Sequence, residues 1–158
     1  MSSPFVAGIE SNTQTSMIVL LNRHLVDAID LKLAMKQAHW NVQGPQFIAL
    51  HELFDQIAAR MDEHADTMAE RVVQLGGTAT GTSQSVAGTT SLPAYPAEAT
   101  DERVHLEALS ERMAAFGKSC REAIDEADGS GDADTADIMT EVSRAVDKDV
   151  WFVGAHLR

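Results

Sequence analysis

A single cysteine, Cys120, stands in 158 residues, so the chain forms no internal disulfide and builds no thiolate cage for a metal. Its helical surroundings read as those of an ordinary packed or surface thiol. Long apolar runs are missing as well. The longest, around Met17 to Leu21, falls far short of the roughly 20 residues that span a bilayer, and no membrane partner is expected. The first twenty residues hold no Lys or Arg to open a signal peptide, and a cytoplasmic location is the expectation. Positive charge is scarce throughout: 12 Lys and Arg stand against 24 Asp and Glu, a formal net charge of −12. That balance disfavours a phosphate-rich partner and suits a protein that gathers cations. Strand signals are few and no tandem repeat is visible. With 44% hydrophobic and 23% charged residues, the length suffices for one compact domain around a single core.

What is present is helical periodicity. A first helix is expected over about residues 13–39, with Leu21, Leu25, Ile29, Leu33 and Trp40 as its apolar positions. Gly44-Pro45 then lets the chain reverse. A second helix, over about residues 47–75, carries Phe47, Leu50, Phe54, Ile57, Met61, Ala65, Met68, Val72 and Leu75 as one narrow stripe, and Gly76-Gly77 stops it. Residues 76–97 are rich in Gly, Thr, Ser and Pro and form a long crossover, with room for one helical turn near residues 85–88. A third helix is expected over about residues 101–127. After the acidic "DGSGDAD" a fourth follows over about residues 135–153, capped by Asp134. Residues 1–12 read as a short tail before a domain of residues 13–158. Four helices with one long connection between the second and third describe an all-α bundle of ferritin-like connectivity; other four-helix topologies fit the same pattern.

The polar side of the second helix is specific. With Phe54 as zero and 100° per residue, the apolar stripe occupies about −60° to +20°, whereas His51, Asp55, Asp62, Asp66 and Glu70 fall between about +60° and +160°. A solvated face is the usual reading of such carboxylates. An ordinary solvated face mixes charge signs, however, and these five positions hold no Lys or Arg, so something positive is expected there. One chain cannot bring all five to one site, because His51 and Glu70 lie about 28 Å apart along the axis, far beyond ligand distances of about 2 Å. Two copies of the helix packed antiparallel about a two-fold axis pair positions whose numbers add to 121, so His51 meets Glu70 and Asp55 meets Asp66 of the mate. The equality restates that both pairs are four residues apart; a dimer can build such a site. The Gly44-Pro45 reversal lets His39 return as a candidate fifth ligand. Two imidazoles and three carboxylates suit Fe(II), Mn(II) or Zn(II).

Other patterns carry less. "HELFD" opens like a zinc-protease H-E-x-x-H, but Asp55 stands where the second histidine is required. Glu102-x-x-His105 has the spacing of di-iron bundles without a matching second copy in the chain, and reads as a surface pair at a helix start. His24, His64 and His156 stand alone and read as surface or packing residues. Trp151 and Phe152 are expected to pack against neighbours. Trp40 follows His39 directly and is either a core or interface aromatic or a residue near the site.

The run "HWNVQGPQFIALHELFD" followed by "DTMAERVVQLGG" resembles the Dps family of mini-ferritins, the DNA-binding proteins from starved cells. The similarity continues through "GTSQ", "SLPAYP" and "DTADIMTEVSRAVDKDVWF", and covers nearly the whole chain after the first dozen residues. It implies a ferritin-like four-helix bundle with a short helix in the crossover, assembled as a hollow homo-dodecamer. It implies a two-iron ferroxidase centre between two-fold-related subunits, with His39, His51 and Asp55 from one and Asp66 and Glu70 from its neighbour. It further implies oxidation of Fe(II), preferably by hydrogen peroxide rather than dioxygen, storage of the ferric product, and quenching of oxidising equivalents by Trp40. Six carboxylates and no base lie between Asp125 and Asp137, and the resemblance places an iron-entry pore there, lined by Asp137 and, less closely matched, Asp128 and Asp132. Two other functions stand beside this one: a nucleoid-compacting DNA binder, and a structural shell with a degenerate metal site. Residues 1–22 contain no Lys or Arg and the chain closes at Arg158 without a basic extension, so direct DNA binding is expected to be weak or absent.

Overall fold

The computed structural model describes residues 3–158. Five helices follow in order: α1 Ser11–Asn41, α2 Phe47–Gln74, α3 Ser83–Thr89, α4 Glu102–Gly129 and α5 Ala133–Ala155. Each lies within two residues of its expected bounds, and among the described residues the only β-type pairing is an isolated bridge between Gln43 and Asp101. None of the helices is long and apolar enough to cross a membrane. The architecture is the all-α ferritin-like bundle: α1 packs along α2 and α4 along α5, α1 also meets α4, and α3 sits within the long crossover against α1.

The α1 core seam is Met17, Leu21, His24, Ala28, Leu31, Met35, Ala38 and Val42, buried positions alternating by fours and threes. That 3.5-residue spacing is the seam of helices wound gently around each other. The expected α1 positions drift away from it, since each step of four residues rotates about 40° past a full turn. Leu33 and Trp40 accordingly emerge on the outside, 52% and 66% exposed. On α2 the expected stripe is buried from Leu50 to Val72, and Leu75 beyond the helix is buried with it. Only Phe47, at the helix start, is open. Gly76 closes α2 with φ 87°, a left-handed residue that lets Gly77 N–H return to Val72 O at 2.9 Å.

The crossover is tied to α1 along its length. The Asn22 side chain holds Thr78 and Thr80, Asp27 accepts from Ser91 N–H at 2.8 Å, and Gln37 donates to Ala97 O at 2.9 Å. From Asn22 to Gln37 is about 22 Å of helix. The expectation of a surface histidine at position 105 is overturned here. His105 is fully buried and its Nδ1 takes the Tyr95 hydroxyl at 2.6 Å, because Tyr95 folds back from the crossover onto the first turn of α4. Burial holds this imidazole below its ordinary pKa and the Tyr95 hydroxyl above its own. His24 is also buried: Nδ1 lies 2.8 Å from Leu20 O, Nε2 lies 2.9 Å from the Ser119 hydroxyl, and desolvation holds the ring below its ordinary pKa. Cys120 is wholly buried, its thiol pushed up to about 12, which makes it a packed thiol.

Arg–Asp pairs bolt the helices across the core. Arg112 of α4 reaches Asp30 of α1 at 2.9 Å, and Arg71 of α2 reaches Asp132 before α5 at 2.7 Å. Arg60 of α2 grips Asp149 of α5 with two bonds, at 2.6 and 3.2 Å. The Arg60–Asp149 pair is asymmetric, since the Asp149 side chain is 0% exposed while that of Arg60 keeps 34%. Arg60→Met strands a buried carboxylate and should cost about 3 kcal/mol or more, whereas Asp149→Asn leaves an arginine that water can reach and should cost less. Thermal or denaturant unfolding of the two variants measures the difference; the reverse order would contradict it.

Candidate metal centre

The α1–α2 turn brings His39 and His51 face to face, with ring centroids 3.8 Å apart and planes 21° from parallel. Their hydrogen bonds are reciprocal. His39 Nδ1 lies 2.7 Å from the carbonyl of His51, and His51 Nδ1 lies 2.8 Å from the carbonyl of His39. A carbonyl only accepts, so both Nδ1 atoms carry the hydrogen, and in each neutral ring the lone pair is left on Nε2. A backbone carbonyl that fixes ring and tautomer in this way is the usual support of a metal-binding imidazole. Both residues are half-buried.

Asp55, one helical turn beyond His51, is exposed, and its Oδ1 is taken by Lys36 Nζ of α1 at 2.6 Å. The Lys36 hydrogen bond holds the Asp55 carboxyl below the ordinary carboxylate range, outweighing the opposing effect of desolvation with help from the Lys36 charge and the two imidazoles. The same ammonium stands 5.6 Å from the centre of the Trp40 ring, so Trp40 shares the neighbourhood of this half-site while its ring faces outward. Further along α2, Lys32 pairs with Asp62. The positive charge that the acidic face of α2 called for is thus partly supplied from within the chain, by two lysines one turn apart on α1. Sequence reasoning passed over both. Their signal was present: Lys36 lies three residues before His39 on the helix that packs against α2.

Asp66 and Glu70 lie at the far end of α2 and do not join the first three residues. Asp66 lines an open groove of about 500 Å³ with Leu25, Ile29, Lys32 and Ala79, and Glu70 lines its continuation with Val73 and Gln74. Among the described residues of one chain, no three His, Cys, Asp or Glu side chains converge closely enough to hold a metal ion. The five candidate ligands therefore stand as two half-sets, three near one end of α2 and two near the other.

Exposed apolar side chains accompany both half-sets. Ile48 beside the first is 60% exposed and Val73 beside the second is 45% exposed. Their numbers also add to 121, as do His51 with Glu70 and Asp55 with Asp66.

The acidic loop behaves differently from expectation. Asp132 is buried, 2% exposed, and caps α5 by accepting the backbone N–H of Thr135 at 3.1 Å and its hydroxyl at 2.6 Å while binding Arg71. The cap is therefore Asp132 and not Asp134, because α5 starts at Ala133, and a carboxylate closed in by an arginine and a helix start has no free face to line a pore. Asp128 and Asp137 are exposed. His156 donates or accepts at Gln46 Oε1 across 2.6 Å; since an amide oxygen accepts, its Nδ1 is the donor. Half-buried His64 faces Glu141, Asp149 and Arg60 and is held below its ordinary pKa by desolvation. Trp151 remains 67% exposed, its ring tilted against that of Phe152 with centroids 5.1 Å apart.

The bundle, its long crossover and the paired imidazoles at the first turn define a ferritin-like protein, and the ferritin-like domain profile matches residues 18–158. The chain is 51% identical over 150 residues to the DNA protection during starvation protein of Agrobacterium fabrum, an alignment covering 95% of this chain and 93% of that one. Its fold superposes on DpsC from Streptomyces coelicolor with a TM-score of 0.95 at 32% identity, over 100% of this chain and 92% of the other. It superposes on the Dps of Microbacterium arborescens in its high iron form with a TM-score of 0.89 at 34% identity, over 96% and 99% of the two chains. The chain belongs to the Dps family.

Replacing Lys36 with Met removes the ammonium from Asp55, and the carboxyl should then titrate nearer its ordinary value. Carbon NMR of the Asp55 side chain in metal-free protein follows the shift, and an unchanged titration would show that Lys36 does not hold the carboxylate.

Proposed function

We propose that this protein is a ferroxidase and iron-storing mini-ferritin that consumes Fe(II) and hydrogen peroxide together in the cytoplasm, limiting hydroxyl-radical formation. The observation that carries the reading is the reciprocal His39–His51 pair, with both Nδ1 atoms committed to carbonyls and both Nε2 lone pairs free. An imidazole pair of that kind needs no further rearrangement of the rings to receive a borderline cation. The division of the remaining carboxylates into two half-sets supports a centre shared between copies. In an antiparallel α2–α2 contact, His39, His51 and Asp55 of one copy face Asp66 and Glu70 of the other, while Ile48 and Val73 close an apolar seal beside them. The iron-laden relative from Microbacterium arborescens supports iron as the cation.

Fe(II) enters this scheme as substrate. The carboxylates neutralise it, and Asp55 becomes available when the incoming cation displaces the Lys36 ammonium. Two Fe(II) ions give one electron each to hydrogen peroxide, which takes up two protons and leaves as two waters. Dioxygen is the slower alternative oxidant. Fe(III) then moves inward for storage in a hollow dodecamer, with Asp128 and Asp137 as candidates for the entry pore and Trp40 as a nearby sink for stray oxidising equivalents.

Anaerobic Fe(II) titration followed by peroxide tests the reading, with about two Fe(II) oxidised per peroxide as the expected stoichiometry for a two-electron oxidant. His51→Ala with Asp55→Ala, and separately Asp66→Ala with Glu70→Ala, should each abolish fast oxidation. Mixing the two inactive proteins under conditions of subunit exchange should restore part of it, because some interfaces regain one complete centre. Absence of recovery despite demonstrated exchange would count against a shared centre.

A DNA-binding role is disfavoured by charge. Twelve copies at −12 each carry −144 before iron is counted. Salt screens that repulsion over about 8 Å without creating an attractive contact. The metal-free assembly should leave plasmid migration unchanged in EDTA at moderate salt and neutral pH; retardation by pure, intact protein would overturn this.

A further inference from the structure

The Glu102-x-x-His105 motif acquires a role from its surroundings. Glu102 opens α4, and its Oε2 accepts the backbone N–H of Gln46, the residue that precedes α2, at 3.1 Å. The carboxylate thus lies at the start of α2, the positive end of that helix's dipole. Gly44 sits against it with φ 154°, and a methyl group built at Gly44 would overlap the Glu102 carboxylate. Two backbone bonds flank this contact: Gln43 N–H to Thr100 O at 2.7 Å, and Glu102 N–H to Gln43 O at 3.2 Å. Three residues on, buried His105 binds the Tyr95 hydroxyl, which fastens the crossover to the same first turn of α4. The α1–α2 turn is therefore gripped from outside by an anchored segment.

The His39–His51 pair depends on that turn. Both imidazole-to-carbonyl bonds run between the last turn of α1 and His51 at the start of the second turn of α2, and a one-residue slip of α2 would swing His51 by about 100° and break both. We infer that Glu102 is a positioning residue for this pair: by sealing the turn over Gly44 and Gln46, it holds both Nε2 atoms toward the shared iron centre. The inference rests on the metal-centre reading above. Glu102 touches no reacting atom, so its effect runs wholly through the orientation of His39 and His51.

The test compares Glu102→Ala and Glu102→Gln with the parent, all as assembled protein. In the metal-free state, NMR of histidine-labelled samples reads the Nδ1–H protons of His39 and His51, and the Nδ1–H of His24, bonded to Leu20 O, serves as an internal reference remote from the turn. Glu102→Ala should move the His39 and His51 protons and speed their exchange with water while leaving that of His24 in place. Co(II) affinity, followed by its visible absorption, should fall about tenfold, the lower end of the range for losing a support behind a metal ligand. Glu102→Gln keeps an oxygen that accepts the Gln46 N–H and should recover most of both effects. Unchanged His39 and His51 protons in Glu102→Ala, or a change shared equally by His24, would overturn the inference. If the parent takes up no Co(II), the iron reading fails, yet the metal-free spectra still decide the role of Glu102.

Discussion

Two imidazole-to-carbonyl bonds across one short turn set the register of α1 against α2, and the placement of the acidic residues on α2 follows from that register. Each such bond contributes only about 1 kcal/mol net. The apolar seam supplies far more stability, since truncating a fully buried Phe54 alone should cost about 3–5 kcal/mol. A seam repeated every seven residues is tolerant of sliding, however, because the next apolar layer resembles the last. Directional bonds at the turn remove that freedom, and they do so through one nitrogen of each ring, leaving the other uncommitted.

Polar groups within the bundle divide by what surrounds them. His24 and His105 are buried, desolvation holds both below their ordinary pKa, and one nitrogen of each ring links elements, His24 Nε2 to the Ser119 hydroxyl and His105 Nδ1 to the Tyr95 hydroxyl. Asp149 and Asp132 are buried and ionic, each answered by an arginine from α2. His39, His51, Asp55, Asp66 and Glu70 retain access to solvent, and only Asp55 among the carboxylates of this set has a lysine on it. A lysine is a suitable placeholder there. It is a single mobile charge on a flexible stem, so its departure from Asp55 carries little structural cost.

Much of the fold was legible in the sequence because helix punctuation is local. Gly44-Pro45 and Gly76-Gly77 ended helices where expected, and the α2 stripe from Leu50 to Leu75 matched the buried seam. The α1 stripe was misjudged at Leu33 and Trp40, where counting by fours drifts around the helix while the real partner surface follows an alternation of threes and fours. The chemistry of the candidate centre was legible as residue types on one face, and the separation of His51 from Glu70 followed from helix rise alone.

What the sequence determined by itself was therefore what depends on spacing along one chain: the helices, the turn between the first two, and the split of the acidic face into two half-sets. Only the tertiary structure decided which side chains answer one another. It turned both Nδ1 atoms of the histidine pair onto carbonyls, brought Lys36 to Asp55, enclosed Asp132 beneath Arg71, buried His105 under Tyr95, and set Glu102 over Gly44. Each of these joins residues from different elements, with geometry fixed by how the helices pack, and periodicity within a single helix holds no record of what the next helix places opposite it.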